Sequence, residues 1–279
     1  MFGKRQDGKL VKDVIPMYEI VPYIMEKRYD SMNMIELDFP VQPIQDYLNK
    51  KREEGVQFSH MGVVLAAYLR TAAEYPALNR FVVNKRIYTR NEFAVGMVVL
   101  KPTGGETMNK MYFDVENTIY DVHRIMNEYI EENRKEGDSN KTDGMIKFLL
   151  ALPALCGFLV RVFKFMDKHG LLPKSIIDAS PFHMSLGITN LASIRTNHVF
   201  HHVYDFGTTS VFISMGNLRE VPVRKHGVVE FERCIPMGVV MDERICTGVY
   251  LAKVCQRLKH YMAHPELLEE PPAVVKRDF

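Results

Sequence analysis

The chain has 279 residues, of which 47% are hydrophobic and 25% are charged, the composition of an ordinary soluble globular protein. Its formal net charge of +2 at pH 7 gives no reason to expect a nucleic-acid partner. The N-terminus carries basic residues with no apolar segment behind them, so it does not resemble a secretory signal. Because the chain shows no repeat, low-complexity tract or clear linker, we predict one continuous α/β domain over residues 1–279.

The chain has 4 cysteines, none of them in a Cys-x-x-Cys pair. Scattered thiols in apolar segments indicate reduced cysteines that pack in the interior, and we therefore predict a cytoplasmic protein.

The first hundred residues predict helices and strands in alternation. Hydrophobic periodicity and the positions of proline and serine indicate helices over Pro22–Ser31, Asp46–Glu54 and from Ser59 to Pro76, and strands over Asn33–Pro40, Arg80–Thr89 and Phe93–Leu100. Gly104-Gly105 then predicts a hairpin turn rather than a phosphate-binding loop, because no helix begins directly after it.

A helix over Tyr112–Arg134 and a polar loop over Lys135–Gly144 are predicted next. The uncharged stretch Phe148–Val160 is 13 residues long, whereas a membrane span needs about 20 apolar residues. We interpret this stretch as a core helix or as a cover over an apolar pocket. Contact with a membrane surface is the alternative, because basic residues surround the stretch: Lys147, Arg161, Lys164 and Lys168.

The last hundred residues predict strands over Pro181–Asn190 and Thr208–Met215, and a hairpin whose turn is His226-Gly227. The apolar run that starts at Ile235 ends in charge at Asp242 and opens onto a helix. That helix has one apolar face, formed by Leu251, Cys255, Leu258 and Met262.

Two motifs carry a resemblance to a known family. Asp242-Glu-Arg-Ile-Cys-Thr-Gly248 resembles the Asp-His-Arg-x-x-Asp-Gly signature of the 2-oxo acid dehydrogenase acyltransferases, and Leu186-Gly-Ile-Thr-Asn-Leu191 resembles their Ile-Ser-Asn-Leu-Gly stretch. Asp242, Arg244 and Gly248 keep the frame of the first motif. Glu243 stands where the family has its catalytic histidine, and Thr247 stands where it has a bracing aspartate.

The resemblance implies the fold of chloramphenicol acetyltransferase, a two-layer α/β sandwich with a mixed sheet and helices packed on one face. It also implies a homotrimer with each site between neighbouring subunits, a coenzyme A thioester as co-substrate, a small-molecule acyl acceptor and no metal. Thr189, followed by Asn190, would steady the oxyanion, and Arg28 matches an arginine that pairs with the family's brace. The alternative interpretation of Thr189 is a threonine that is merely suited to a strand. No lipoyl or subunit-binding segment precedes the domain, so we expect a free-standing protein.

Three interpretations of position 243 remain open. Glu243 is a replacement base, or it is a surviving polar residue in an inactive site, or the active site is displaced and another residue serves as the base. A thiol has a pKa of ~8.5, so proton transfer is uphill by about two units to a histidine near ~6.5 and by about four to a glutamate near ~4.3. The difference corresponds to roughly 3 kcal/mol, or about a hundredfold in rate. A binding or structural role without catalysis is therefore the alternative function.

The segment Asn197–Asp205 contains three histidines, His198, His201 and His202. His201 and Asp205 imitate the spacing of the family motif, which we interpret as coincidence because a strand, not a helix, follows. A metal site is the weaker alternative, since no carboxylate or cysteine stands at a familiar ligand spacing. His202 is kept as a reserve base, and Cys246 is interpreted as a packing residue.

Overall fold

The computed structural model describes residues 4–278, except for residues 13, 103, 136–143, 145, 146, 148, 149 and 152. Its strands are β1 Gly8–Leu10, β2 Met32–Pro40, β3 Arg80–Val83, β4 Arg86–Arg90, β5 Phe93–Leu100, β6 Glu106–Phe113, β7 Leu186–Asn190, β8 Val211–Met215, β9 Arg219–Lys225 and β10 Val228–Asp242. Its α-helices are α1 Pro16–Ile24, α2 Val41–Glu53, α3 His60–Glu74, α4 Ile119–Arg134, α5 Pro153–His169, α6 Lys174–Ala179 and α7 Gly248–Ala263.

A mixed sheet forms one layer of the molecule. Its strands lie in the order β2-β10-β8-β7-β5-β6, and β9 pairs with the first half of β10. β7 is parallel to both of its neighbours, β5 and β8, whereas the other pairs are antiparallel. A small sheet in the order β1-β4-β3 stands apart from it. The predicted mixed sheet is confirmed.

Helices α2, α3, α4 and α7 pack on one face of this sheet and form the main core with it. Alternate strand residues point toward the helices, so that Ile188, Ile213 and Val239 lie side by side in paired strands and are buried. On the other face, Phe212 packs with Met184 and Val203 in a smaller cluster. Val203 belongs to the segment 197–207, which crosses this second face.

Three predicted elements begin elsewhere than expected, since α2 starts at Val41 rather than Asp46, β7 at Leu186 rather than Pro181, and β8 at Val211 rather than Thr208.

Three other predicted elements differ more deeply from the observed ones. Instead of one helix over Pro22–Ser31, α1 ends at Ile24 and a separate 3₁₀ turn covers Arg28–Ser31. The strand predicted over Arg80–Thr89 is a hairpin, because Asn84 and Lys85 adopt positive φ angles of 49° and 63° and reverse the chain. The segment from Tyr112 completes β6, and α4 begins only after Thr118.

Local capping and turn chemistry explain several boundaries. Thr118 and Asp121 form a reciprocal capping box that starts α4, and Ser59 caps α3 by accepting from the Gly62 amide at 3.0 Å. His226 and Gly227 have φ angles of 50° and 87°, as a two-residue hairpin turn requires. The predicted turns at His226-Gly227 and Gly104-Gly105 are confirmed, since β9 pairs with β10 and β5 with β6 across them.

The β9–β10 hairpin extends beyond the rest of the sheet as a two-stranded ribbon. β2 pairs with β10 only as far as Cys234, so Val228–Arg233 has β9 on one side and no described strand on the other. Phe231, opposite Pro222 in the ribbon, is 69% exposed.

The apolar stretch Phe148–Val160 is only partly described, since Phe148, Leu149 and Leu152 lie outside the described residues. Its remainder from Pro153 onward begins α5, whose side chains Leu155 and Phe158 are 51% and 59% exposed. The interpretation of this stretch as a core helix is therefore wrong for its described part. No helix in the described ranges is long and apolar enough to cross a membrane. The predicted loop over Lys135–Gly144 lies almost wholly outside the described residues.

Candidate active site at the end of strand β10

A buried ionic cluster closes β10. The Asp242 carboxylate is fully buried and accepts from Arg244 Nε at 2.8 Å and Nη2 at 2.7 Å. Arg28 Nε donates to its Oδ2 at 3.3 Å, and Ser31 Oγ donates to its Oδ1 at 3.0 Å. This geometry satisfies both carboxylate oxygens and fixes the point where the strand ends.

Electrostatics keep Asp242 ionised. Burial alone would raise the pKa of its carboxyl, but the hydrogen bonds and positive charge of Arg244, together with the charge of Arg28, outweigh it and hold the pKa below its ordinary value. Two buried guanidinium groups therefore share one buried carboxylate.

Arg28 ties this cluster to three other segments. Its Nη1 donates to the carbonyl oxygens of Tyr204 at 2.7 Å and Gly207 at 3.0 Å, and its Nη2 donates to that of Val82 at 3.0 Å. The resemblance predicted that Arg28 pairs with a bracing residue at position 247. The structure pairs Arg28 with Asp242 instead, because Thr247 carries no charge.

Arg80 secures the same motif from the other side. Its Nη1 donates to the Ile245 carbonyl oxygen at 3.2 Å, and its Nη2 donates to Asp278 Oδ1 at 2.7 Å. The turn after β10 is therefore held between the buried cluster and the C-terminal segment.

Glu243 begins the 3₁₀ turn Glu243–Ile245 that follows Asp242. Its side chain is half-buried, and in the described part of the chain it has neither a hydrogen bond nor an ion pair. Its neighbours Asp242 and Arg244 are buried and joined to each other by hydrogen bonds, so the backbone that carries the unpaired Glu243 side chain is fixed.

Thr247 has a different role from the bracing aspartate of the family signature. Its hydroxyl oxygen accepts from the Tyr250 amide at 3.0 Å and so caps the N-terminus of α7, which begins at Gly248. Gly248 is exposed, with no atom close to where a Cβ would lie. Cys246 is buried and burial raises the pKa of its thiol to about 12, in agreement with a packing residue.

The capping role of Thr247 gives a first prediction. Thr247→Ala should lower the free energy of unfolding by about 1 kcal/mol because one amide of the first turn loses its acceptor. Thr247→Asp should keep the cap and change stability by less than about 0.5 kcal/mol. Urea unfolding of both variants measures the difference. Equal stability of the alanine variant and the wild type would show that the cap contributes nothing.

Thr189 lies near the C-terminal end of β7, beside Ser214 of β8, which in turn pairs with Gly238 of β10. The Thr189 side chain is half-buried, and its hydroxyl has no described partner. The next residue, Asn190, accepts from Ser193 Oγ through its carbonyl oxygen at 2.6 Å, while its side-chain Oδ1 is buried without a partner. A free hydroxyl on a rigid strand suits an oxyanion donor.

Within one chain Thr189 and Glu243 do not meet. β7 and β10 run in opposite directions, so the C-terminal end of one lies beside the N-terminal end of the other along the strand direction. Glu243 follows Gly238 by five positions, and two strand spacings separate Gly238 from Thr189, which places the two residues roughly 15–20 Å apart. A shared crevice between two protomers stays a prediction.

The segment 197–207, which contains His198, His201 and His202, crosses the sheet face that carries Thr189. His201 stacks on Phe212 with ring centroids 4.0 Å apart, and burial lowers its pKa. His202 is exposed and stacks on His201, and no hydrogen bond joins it to Thr189 in the described structure.

Asp205 accepts from the Arg28 amide at 3.1 Å rather than from His201. The imitation of the family motif by His201 and Asp205 is thus a coincidence of spacing.

His198 is the histidine that lies over the row of paired strand residues formed by Thr189, Ser214 and Gly238. A Cβ on Gly238 would be 3.1 Å from both the His198 ring and Ser214 Oγ, and the His198 Nε2 atom lies 3.5 Å from Glu36 Oε1. From the sequence, His198 was a candidate only for a metal site, because the register that brings it beside β8 and β10 is not visible along the chain. Among the described residues no group of three or more histidine, cysteine and acidic side chains could hold a metal ion.

This arrangement of sheet and helices is the chloramphenicol acetyltransferase-like fold of the 2-oxo acid dehydrogenase acyltransferase catalytic domains. The chain superposes on the cubic core of a pyruvate dehydrogenase multienzyme complex with a TM-score of 0.60 and 12% identity, covering 92% of this chain and 93% of that one. A dihydrolipoamide acetyltransferase of Azotobacter vinelandii gives a TM-score of 0.58 at 12% identity, with 92% and 93% covered.

Chloramphenicol acetyltransferase itself gives a TM-score of 0.54 at 10% identity, with 91% of this chain and 99% of that chain covered. No family model matches the sequence, and no curated protein matches it either. The suspected resemblance is thus confirmed at the level of the fold.

Proposed function

We propose that the protein is an acyltransferase that transfers an acyl group from a coenzyme A thioester to a small-molecule acceptor. Its active unit is a homotrimer, and each site combines Glu243 of one protomer with Thr189 of the next. The observation that carries the proposal is the unpartnered Glu243 carboxylate, presented by the buried Asp242 cluster. The fold supports it, since the Azotobacter vinelandii protein is an acetyltransferase whose catalytic mechanism was investigated through a serine, a histidine and an asparagine.

In the proposed reaction Glu243 takes the proton from the thiol or hydroxyl of the acceptor. The acceptor sulfur or oxygen attacks the thioester carbonyl carbon, and the carbonyl oxygen becomes an oxyanion that accepts a hydrogen bond from the Thr189 hydroxyl. The carbon–sulfur bond to coenzyme A then breaks, and the proton held by Glu243 passes to the departing thiolate. Glu243 and Thr189 return to their starting states.

The distance between the two residues supports a site between subunits. One protomer keeps them roughly 15–20 Å apart, whereas a base and an oxyanion donor must both lie about 3 Å from the reacting atoms. A ring of identical, head-to-tail contacts brings the β10 end of each subunit against the β7 end of the next and closes after three copies. Each chain then contributes to two sites.

Subunit complementation tests this arrangement. Thr189→Ala and Glu243→Gln are each expected to be inactive as homotrimers, while trimers co-assembled from equal amounts should recover about a quarter of the wild-type rate, because one site in four receives both intact residues. Acyl transfer from acetyl-coenzyme A is measured on the whole co-assembled population, in which each mixed trimer has one intact site in three and the parental homotrimers have none. A mixed trimer as inactive as its parents would show that each site belongs to a single chain. A monomeric wild type would also contradict the proposal.

A specific observation favours a second candidate, a trimer that binds ligands or partners without catalysis. The Thr247 hydroxyl is committed to the α7 cap, and no described side chain forms a hydrogen bond or an ion pair with Glu243 that would orient it. In this alternative the ionic cluster around Asp242 preserves the fold after the chemistry was lost.

A further inference from the structure

Helix α5 is a surface element with an unusual composition. Its outward side carries the apolar side chains Leu155, Phe158 and Phe165, which are 51%, 59% and 53% exposed. Helical periodicity places these three on one stripe, since they are spaced by three and by seven positions. An apolar stripe of this kind normally packs against the core, yet this one faces away from it.

The side of α5 that faces the domain is half-buried and carries apolar residues such as Leu159, Phe163 and Met166 together with one charged group. Asp167 is the only one of its described residues that is buried, and its Oδ1 lies 2.9 Å from Arg5 Nη1 and 3.3 Å from His183 Nε2. Arg5 and His183 are themselves buried. The helix is therefore attached to the domain by a half-buried apolar side and by a charge cluster, while the exposed stripe of Leu155, Phe158 and Phe165 remains available.

The exposed charges of α5 all have the same sign. Arg161, Lys164 and Lys168 are exposed and form no ion pair with a described residue, while the one acidic side chain of the helix, Asp167, is turned inward. The three cations occupy a stripe beside the apolar one. This combination of an apolar stripe and an unpaired basic stripe is typical of helices that lie in the interface of an anionic membrane.

A cleft of about 270 Å³ lies between the C-terminal part of α5 and the residues that follow α1. Lys27, Lys85, Lys164 and Lys168 line it together with Glu26. Lys27 and Lys85 pair with carboxylates, and the two lysines of α5 leave the cleft with excess positive charge. The α1 side chains Met17, Ile20 and Ile24, which precede the lining residues Glu26 and Lys27 in the chain, are 69%, 49% and 73% exposed.

We propose that α5 is a docking surface for an anionic phospholipid membrane. Leu155, Phe158 and Phe165 enter the headgroup region, and Arg161, Lys164 and Lys168 contact lipid phosphates. The charge pattern favours lipid over a second copy of the chain, because two copies meeting through α5 would bring the same unpaired cations together. The proposal is independent of acyl transfer and of the residues assigned to it.

Co-sedimentation of the full chain with vesicles tests the proposal. Vesicles of phosphatidylcholine with about 30% phosphatidylglycerol should bind the protein, and vesicles of phosphatidylcholine alone should not. Lys164→Glu with Lys168→Glu should weaken binding at least about tenfold, and raising the salt concentration should weaken it too. Phe158→Ser should weaken it by about tenfold through loss of apolar contact.

Matched controls are available elsewhere on the surface. Lys50→Glu changes an exposed lysine on α2, and Phe231→Ser changes a phenylalanine of similar exposure on the β9–β10 ribbon. Neither should alter vesicle binding. Absence of binding to the anionic vesicles, or equal effects of the α5 and control variants, would overturn the proposal. So would a change in oligomeric mass on Phe158→Ser with vesicle binding unaltered, because α5 would then contact another copy of the chain.

Discussion

Replacing Glu243 by histidine is expected to raise the rate of acyl transfer by about a hundredfold. Proton transfer from a thiol to an unperturbed imidazole is less uphill than transfer to a carboxylate by about two pKa units, or roughly 3 kcal/mol. Replacing Glu243 by glutamine removes the proton acceptor and should lower the rate about 10²–10⁴-fold, the range typical of a lost general base.

The measurement is the consumption of acetyl-coenzyme A in the presence of a small dithiol acceptor, with wild type and both variants at equal concentration. Glu53→Gln, an exposed position on α2, is the matched control and should be fully active. Full activity in Glu243→Gln would exclude Glu243 from the mechanism. Activity in Glu243→His alone, with an inactive wild type, would support the non-catalytic alternative.

The second large effect concerns stability. Asp242→Ala should lower the free energy of unfolding by about 3–5 kcal/mol, because Arg28 and Arg244 would remain buried without their carboxylate. Asp38→Ala is the control, since Asp38 pairs with Arg219 at the surface, where the side chains are 25% and 42% exposed. That change should cost less than about 1 kcal/mol. Urea denaturation of the two variants gives the comparison, and equal losses would contradict the assigned role of the cluster.

The same cluster predicts a dependence on pH. The pKa of Asp242 in the folded protein lies below its ordinary value of 3.8, so its stabilising contribution is complete above that value and is lost as the pH falls through the folded-state pKa. The urea midpoint of the wild type should therefore fall more steeply below about pH 4 than that of Asp242→Asn.

Much of the fold was predictable because its signals are local. The Ile235–Asp242 strand, the α7 face that contains Leu251 and Leu258, and the His226-Gly227 turn each depend on a few neighbouring residues, and the structure has all three. The motif that begins at Asp242 also identified the fold despite 12% identity to proteins that share it. Periodicity and turn chemistry act over short stretches of chain, which explains this success.

The errors had physical causes of another kind. Asn84 and Lys85 adopt the left-handed conformation that reverses the chain, although neither is the glycine that usually marks such a turn. The partner of Arg28 depends on a contact with Asp242 across more than two hundred residues, which no pattern along the chain encodes. The place of His198 beside Ser214 depends likewise on strand register. The interpretation of Phe148–Val160 as a core helix failed for its described part, because an apolar stretch does not itself specify what covers it.

The β9–β10 ribbon has a consequence for how the protein behaves at high concentration. Its outer margins expose backbone groups that another chain could hydrogen-bond, and Phe231 adds apolar surface there. Pro222 has no amide hydrogen to offer such a strand, and the charged residues Arg224 and Glu230 flank the apolar positions. The ribbon is therefore protected against fibrous self-association by its own sequence. Replacing Pro222 with valine would supply an amide hydrogen that a strand of another chain could bind.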